Sequence, residues 1–418
     1  MSRRRDITVR REVRASTGYR EARAAATVHD MPPAPVITGL RMHDAIDLPE
    51  GDAPIVAHAC REDRYAIHVA RSDEQVRDVL GLLLEGAETV ALVSDDEVDS
   101  LYGAQLRELL RDLGLEVITR TVPAGERSKS LHSAVRLWHW LAESRLGRRD
   151  VVITFGGGVV NDLGGWVASA YMRGVPYINV PTTLLAMVDG ALGGKVAVNH
   201  PVAKNLLGAF QQPAGVLSDV RYLRSLSRRH LAAGLAECIK KGVIASPDYF
   251  EFIEREAGPL LAGDLRALEQ LVRAASAIKS ELIERDPYEE DLRRPLNFGH
   301  TVGHPLETVT GYGPLLHGEA VAFGMAVEAR IATARGWLPD GLLDRLLDLL
   351  DCCGLPIDAG SLPSDVRAGA LVGAMDKVRL IRAGSLRWVL PTGLGDTVIA
   401  DDVSEFELRT ALASCGVE

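Results

Sequence analysis

The residues best suited to chemistry are Glu237, His300, His304, His317 and Glu319. His300 and His304 stand four apart in Asn297-Phe-Gly-His-Thr-Val-Gly-His304, on one face of a helix. Leu316-His317-Gly-Glu319 follows within one short connection, and Glu237 sits on an earlier helical stretch with Lys240 three residues on, on the same face. One carboxylate and two imidazoles leave a fourth position open, the pattern of a catalytic zinc site. Spacing does not select which two histidines take part. The second residue of the His300 to His304 span is not Glu, so this is no H-E-x-x-H protease helix.

Cations gather around the same residues. Of 47 basic side chains only seven are Lys: 129, 195, 204, 240, 241, 279 and 377. In a chain that otherwise uses Arg, a retained Lys marks a place where a compact ammonium fits and a planar guanidinium does not. Lys241, beside Lys240, is the exception and is expected to be incidental. Arg173, Lys195, Lys204, Lys240, Lys279, Arg293 and Lys377 are more positive charge than one metal site tolerates, so the ligand should carry two or three negative charges. A phosphate, with or without a carboxylate, meets that need. The competing reading of Arg293 is surface pairing with Glu289, Glu290 and Asp291.

These residues need an α/β scaffold. Val151 to Phe155 reads as a strand that breaks into Gly156, Gly157 and Gly158, a strand-to-helix turn whose backbone N–H groups can hold a phosphate. Further strands are expected at Tyr65–Ala70, Thr89–Ser94 and Val117–Val122, with helices at Asp73–Leu84 and Leu131–Leu146. Alternation of this kind implies a parallel sheet, which binds ligands at the carboxyl ends of its strands. Asp95, Glu126 and Lys129 all follow strands and could hold ribose hydroxyls, with plain solvation as the default. After Leu226 long helical patterns take over, at Ala232–Ile244, Asp264–Glu284, Thr301–Thr310, Gly318–Gly336 and Gly341–Cys352, with a hairpin near Leu386–Ile399. The expected organisation is a partly disordered extension over 1–62, a Rossmann-like α/β NAD-binding domain over 63–226, and a mainly helical metal- and substrate-binding domain over 227–418.

Composition narrows the class. The content of 47% hydrophobic and 25% charged residues is that of a globular protein, and a net charge of −10 argues against nucleic-acid binding. No apolar run is long enough to span a membrane. Five cysteines without paired metal spacing suit a reduced, cytoplasmic setting.

The segments GGGVVNDLGG, YMRGV, VPTTLLAMVD, GGK, KNLLGAF, GLAECIK, LNFGHTVGH and LHGEAVA together resemble the 3-dehydroquinate synthase family of sugar phosphate cyclases, over Tyr65 to Val403. The resemblance implies an NAD-binding α/β domain, a helical metal domain and a homodimer. It assigns Zn2+ or Co2+ to Glu237, His300 and His317, which turns His304 into a phosphate contact. It puts Asp189 and Lys240 at substrate hydroxyls. Lys195, Asn205, Asn297 and Lys377 go to the phosphate, and Arg173 reaches across from the partner. Gly157, Gly158, Val159, Asp162, Thr182, Thr183, Lys204, Asp95, Glu126 and Lys129 match NAD positions. Lys279 and Arg293 match the two readers of the carboxylate of the seven-carbon ketose acid phosphate (DAHP).

The family chemistry that follows is transient oxidation by NAD, loss of phosphate, re-reduction, ring opening and aldol closure. On these residues an acid phosphate leads as substrate. A valiolone-type cyclase acting on sedoheptulose 7-phosphate is the alternative; such enzymes resemble FGHTWSP and HGHA where this chain has FGHTVGH and HGEA. An NAD- and zinc-dependent polyol dehydrogenase, which needs no phosphate pocket, is the other. Asn161, Gly190, Val196, Ala203 and Pro305 depart from the family pattern, and they leave room for a related substrate.

Overall fold

The computed structural model describes residues 63–288, 294–311, 313–363, 366–381 and 386–418, with backbone only for 376–381. The expected extension over 1–62 and Arg293 therefore lie outside the described residues, as does the side chain of Lys377. Among the described residues no helix is long and apolar enough to cross a membrane.

The first half alternates strand and helix. In chain order come β1 (Ala66–Ala70), α1 (Asp73–Leu83), β2 (Thr89–Asp95), a short α2 (Asp96–Val98), α3 (Ala104–Asp112), β3 (Glu116–Val122), α4 (Leu131–Glu143), β4 (Val151–Gly156), α5 (Gly158–Ala170) and β5 (Tyr177–Pro181). A hairpin of β6 (Lys195–His200) and β7 (Ala203–Phe210) precedes β8 (Gly215–Asp219). Six strands form one parallel sheet in the order β1-β8-β5-β4-β2-β3. All six residues of β4 are buried, as expected when helices cover both faces of a parallel sheet. Gly156 pairs with Pro181 and Ser94 with Phe155, so β2, β4 and β5 end together and deliver Asp95, Gly157 and Thr182 to one edge. The strands β5 and β8 and the β6–β7 hairpin were not singled out from the sequence.

The second half is helical: α6 (Arg228–Ala245), α7 (Pro247–Leu261), α8 (Leu265–Arg285), α9 (His300–Val309), α10 (His317–Ala334), α11 (Leu342–Cys352), α12 (Ala368–Ile381), the hairpin β9 (Trp388–Gly393) with β10 (Asp396–Ala400), and α13 (Glu405–Ser414). Serine and aspartate side chains cap α6, α7 and α8 at Ser227, Ser246 and Asp264. One apolar core runs from Val69 and Leu92 in the sheet to Phe298, Val321 and Leu412 among the helices.

Two glycines in α10 set how closely α10 approaches α6 and the start of α9. A Cβ at Gly318 would lie 1.9 Å from the carbonyl oxygen of Ala233 in α6. One at Gly324 would lie 1.9 Å from that of Gly299, just ahead of α9. Any side chain at either place would push apart the elements that carry Glu237, His300 and His317.

Candidate metal and anion site

A cavity of about 510 Å³ opens between the carboxyl edge of the sheet, the β6–β7 hairpin and α6, α8 and α9. Into it face Asp162, Asp189, Lys195 and Asn205 from the α/β half. Lys240, Lys279, Asn297, His300, His304 and His317 face it from the helices. Ten of the side chains singled out from the sequence therefore share one enclosure.

Glu237 lies behind the lining histidines, fully buried in α6. Neither of its oxygens accepts a hydrogen bond, although the Lys240 ammonium stands 2.5 Å from Oε2. Lys240 offsets the charge at Oε2, while Oε1 is left without a donor among the described residues, which is costly when buried. His300 Nε2 is 3.6 Å and His317 Nε2 3.9 Å from Glu237 Oε1. Ligand atoms on one tetrahedral zinc-type ion stand about 3.3 Å apart, so the two imidazoles and the orphaned carboxylate fit a divalent metal. Both rings are turned for the purpose, because the backbone carbonyl of Phe298 holds His300 Nδ1 at 3.1 Å and Glu307 Oε2 holds His317 Nδ1 at 3.1 Å. Burial, then the nearby Lys240, hold His300 well below its ordinary pKa, in the neutral form that ligates. His304 belongs to the same cluster, its ring 5.0 Å from that of His300 and 5.8 Å from that of His317. The three imidazoles alone could also surround an ion.

Asp189 is the second charged centre. Lys279 Nζ donates to its carboxylate at 2.7 Å and to its backbone carbonyl at 2.6 Å, and Lys241 Nζ lies 3.6 Å from Oδ1. Against the upward push of burial, Lys279, Lys241 and Lys240 hold the Asp189 carboxyl well below its ordinary value. Burial brings Lys279 itself down to about 8, despite Asp189. Lys241, expected to be incidental, is instead wholly buried, and its ammonium has no hydrogen-bond partner among the described residues.

The nucleotide side is built differently. The first N–H groups of α5, at Gly158 and Val159, have no partner within the helix. A Cβ at Gly158 would meet nothing within 4 Å, which leaves open space for a phosphate against the helix N-terminus. The Lys129 ammonium donates to Asp162, Glu126 accepts from Asn199 at 2.7 Å, and Asp95 caps α2 through the Val98 N–H at 2.8 Å. Thr182 donates its N–H to the Gly156 carbonyl at 3.0 Å, and Thr183 Oγ1 accepts from the Ala186 N–H at 3.2 Å. Lys204, on β7, donates to Glu307 at 3.3 Å and so stands next to the metal cluster.

Arg173 is exposed and does not line the cavity of its own chain. Arg173 and Asn205 are two of four non-glycine residues with positive φ among the described residues, at 68° and 55°. Such conformations persist where the surroundings demand them, often at functional sites. Sequence reasoning missed Lys241, Glu307 and Glu328. Glu328, buried in α10, accepts the Gly299 N–H at 2.8 Å and so caps the helix that bears His300. Glu307 had a usable signal, since it falls seven residues after His300 and three after His304, on their helix face.

Fold and site together define a class: a parallel-sheet nucleotide edge set against a helical unit that buries a metal donor set among lysines. The description "3-dehydroquinate synthase N-terminal" matches residues 119–233, and "3-dehydroquinate synthase C-terminal" matches 234–377. The chain is 52% identical to the 2-epi-valiolone synthase of Actinosynnema mirum, over 90% of this chain and 98% of that protein. It is 42% identical to the 3-dehydroquinate synthase of Desulforamulus reducens, over 84% and 96%. Among solved structures it resembles ValA, the 2-epi-5-epi-valiolone synthase of Streptomyces hygroscopicus subsp. jinggangensis 5008 with NAD+ and Zn2+ bound, at 29% identity and a TM-score of 0.80, covering 87% of this chain and 99% of that one. The chain belongs to the 3-dehydroquinate synthase family, and it is a sugar phosphate cyclase.

Proposed function

We propose that the enzyme cyclises a seven-carbon ketose phosphate whose C1 end carries no charge, of the sedoheptulose 7-phosphate type, to a valiolone-type cyclitol. The order of substrates read from the sequence is thereby reversed. The observation that carries the proposal is the state of Lys279: Asp189 already binds its ammonium twice, so its charge is balanced by the protein. A carboxylate reader should instead hold its charge ready for the substrate. Two further features support the reading. Gly190 and Val196, where the family pattern has hydroxyl side chains, both line the cavity, so that wall offers fewer polar contacts. The identity to the valiolone-forming relative also exceeds that to the dehydroquinate-forming one.

Bound NAD supplies a hydride acceptor that is restored within the turnover, and a divalent metal held by Glu237, His300 and His317 supplies Lewis acidity. The chain's own residues do the rest. Asp189 and Lys240 orient the ring hydroxyls beside Glu237. Lys195, Asn205, Asn297, His304 and Lys377 grip the phosphate, joined by Arg173 of the partner subunit in a homodimer. Held in that grip, the phosphate oxygens can take the proton from the carbon next to the new ketone before phosphate leaves. The cavity then keeps the opened chain folded for aldol closure. Gly157, Gly158, Val159, Asp162, Thr182 and Thr183 seat the dinucleotide, with Asp95, Glu126, Lys129 and Lys204 around it. A reducing cytoplasm is the setting in which we place the enzyme, given its unpaired cysteines Cys238, Cys352, Cys353 and Cys415.

A second reading, the acid phosphate, is favoured by the mere presence of Lys279 in the cavity wall. Phosphate release measured with each substrate, with NAD and Zn2+ added, separates the two. We expect kcat/KM for sedoheptulose 7-phosphate to exceed that for DAHP severalfold, with no net NADH accumulation. The opposite ranking overturns the substrate assignment, and steady NADH formation overturns the cyclase reading itself.

A further inference from the structure

Glu307 is a buried carboxylate that the reaction as described above leaves unused. Its two oxygens have separate partners: Oε2 faces His317 Nδ1 at 3.1 Å, and Oε1 faces Lys204 Nζ at 3.3 Å. We infer that Glu307 is the positioning residue of the metal centre, fixing His317 with Nε2 toward Glu237 and adding a second negative charge beside the ion. The inference rests on the reading of Glu237, His300 and His317 as metal ligands.

An imidazole binds a metal through one nitrogen only when the other carries the proton, and the acceptor facing that proton decides the matter. The two histidines use different acceptors. His300 has the neutral carbonyl of Phe298, which no substitution can remove. His317 begins α10 and is partly exposed, so it has no such fixed backbone partner, and Glu307 takes that part from the facing helix. Charge gives the second argument. Glu237 is the one anion among the proposed ligands, and Lys240 lies 2.5 Å from it. Glu307, in contact with a proposed ligand, adds a carboxylate close to a divalent ion there. Its place on α9 is set by the same helix face that presents His300 and His304.

The test is metal affinity, measured by chelator competition and by the visible absorption of the Co2+ form. Glu307→Ala should weaken Zn2+ and Co2+ binding by about 10- to 100-fold. Glu307→Gln, which keeps an acceptor of the same shape without the charge, should fall between the wild type and the alanine variant and should alter the Co2+ spectrum less. Lys204→Met, which removes the partner of the other Glu307 oxygen, should change metal affinity by less than about threefold if orientation of His317 is the cause. Wild-type affinity in both Glu307 variants overturns the inference. So does a Lys204→Met loss as large as that of Glu307→Ala, which would mean that the hairpin is responsible. Should Glu307→Ala fail to fold, the isosteric Gln variant decides alone. A wild-type protein that binds neither metal contradicts the ligand assignment itself, a separate result from metal binding that is indifferent to Glu307.

Discussion

The sheet edge and the helical half beside the cavity are made on opposite plans. At the strand ends the offer is mostly backbone: Gly157, Gly158 and the first turn of α5 present N–H groups and space, and the nearby Lys129 and Asp162 pair with each other. The helical half instead buries charge, with Glu237, Lys240, Lys241, Lys279 and Glu307 set into packed helices, and Lys240 and Lys279 of these lining the cavity. A dinucleotide is large and carries its own phosphates, so oriented N–H groups in an open edge suffice. A reaction that develops charge on a small ring needs fixed charges in place beforehand, and these must be balanced or they destabilise the fold. Neutral space serves binding here, and compensated charge serves chemistry.

Substitutions that affect one wall and spare the other sharpen this contrast. The largest effect is expected from Glu237→Gln. It should abolish phosphate release and strip metal affinity while leaving NAD affinity, measured by fluorescence titration, nearly unchanged. A strong loss of NAD binding in that variant would mean that the walls are not independent. The converse is Gly158→Ala. The open space there should let the protein fold with a stability change below about 1 kcal/mol by urea denaturation, because Ala suits a helix start. NAD affinity should drop several-fold with metal affinity intact. Equal losses of both would blur the distinction.

A smaller effect tests how the charged wall is balanced. Burial raises the Glu328 carboxyl from its ordinary 4.5 to about 8, against the pull of the backbone N–H groups it accepts. The folded protein therefore holds a proton that the unfolded chain releases at lower pH. The stability this group contributes is full below about pH 4.5 and is lost as pH rises toward 8. Glu328→Gln has no such proton. In metal-free protein its Tm should fall less than that of the wild type between pH 5 and pH 8, and parallel curves would contradict the protonated state.

How much of this was legible follows from the environment of each residue. The strand Val151–Gly156 and its glycine turn stand out because a run of apolar residues ends abruptly in residues without side chains. His300 and His304 stand out because a helix face repeats every three to four residues. The choice of His317 over His304 as a ligand came from resemblance alone, because spacing treats them alike. Lys241 was hidden for a physical reason: fourteen of the eighteen residues of α6 are buried, so that helix has no solvent face against which a functional side would contrast. Glu328 was hidden likewise within α10. Glu307 shares the helix face of His300 and His304, a local signal, but its partners His317 and Lys204 lie in other elements, and no local pattern reports that pairing.

The claim on which all of this depends is that the buried Glu237, beside Lys240, is a metal ligand. Anomalous scattering from crystals grown with Zn2+ or Co2+ tests it directly. A single peak about 2.0–2.2 Å from a Glu237 oxygen and from Nε2 of His300 and His317, with His304 outside the coordination sphere, is the expected result. A peak enclosed by His300, His304 and His317, with Glu237 left to Lys240, would contradict it.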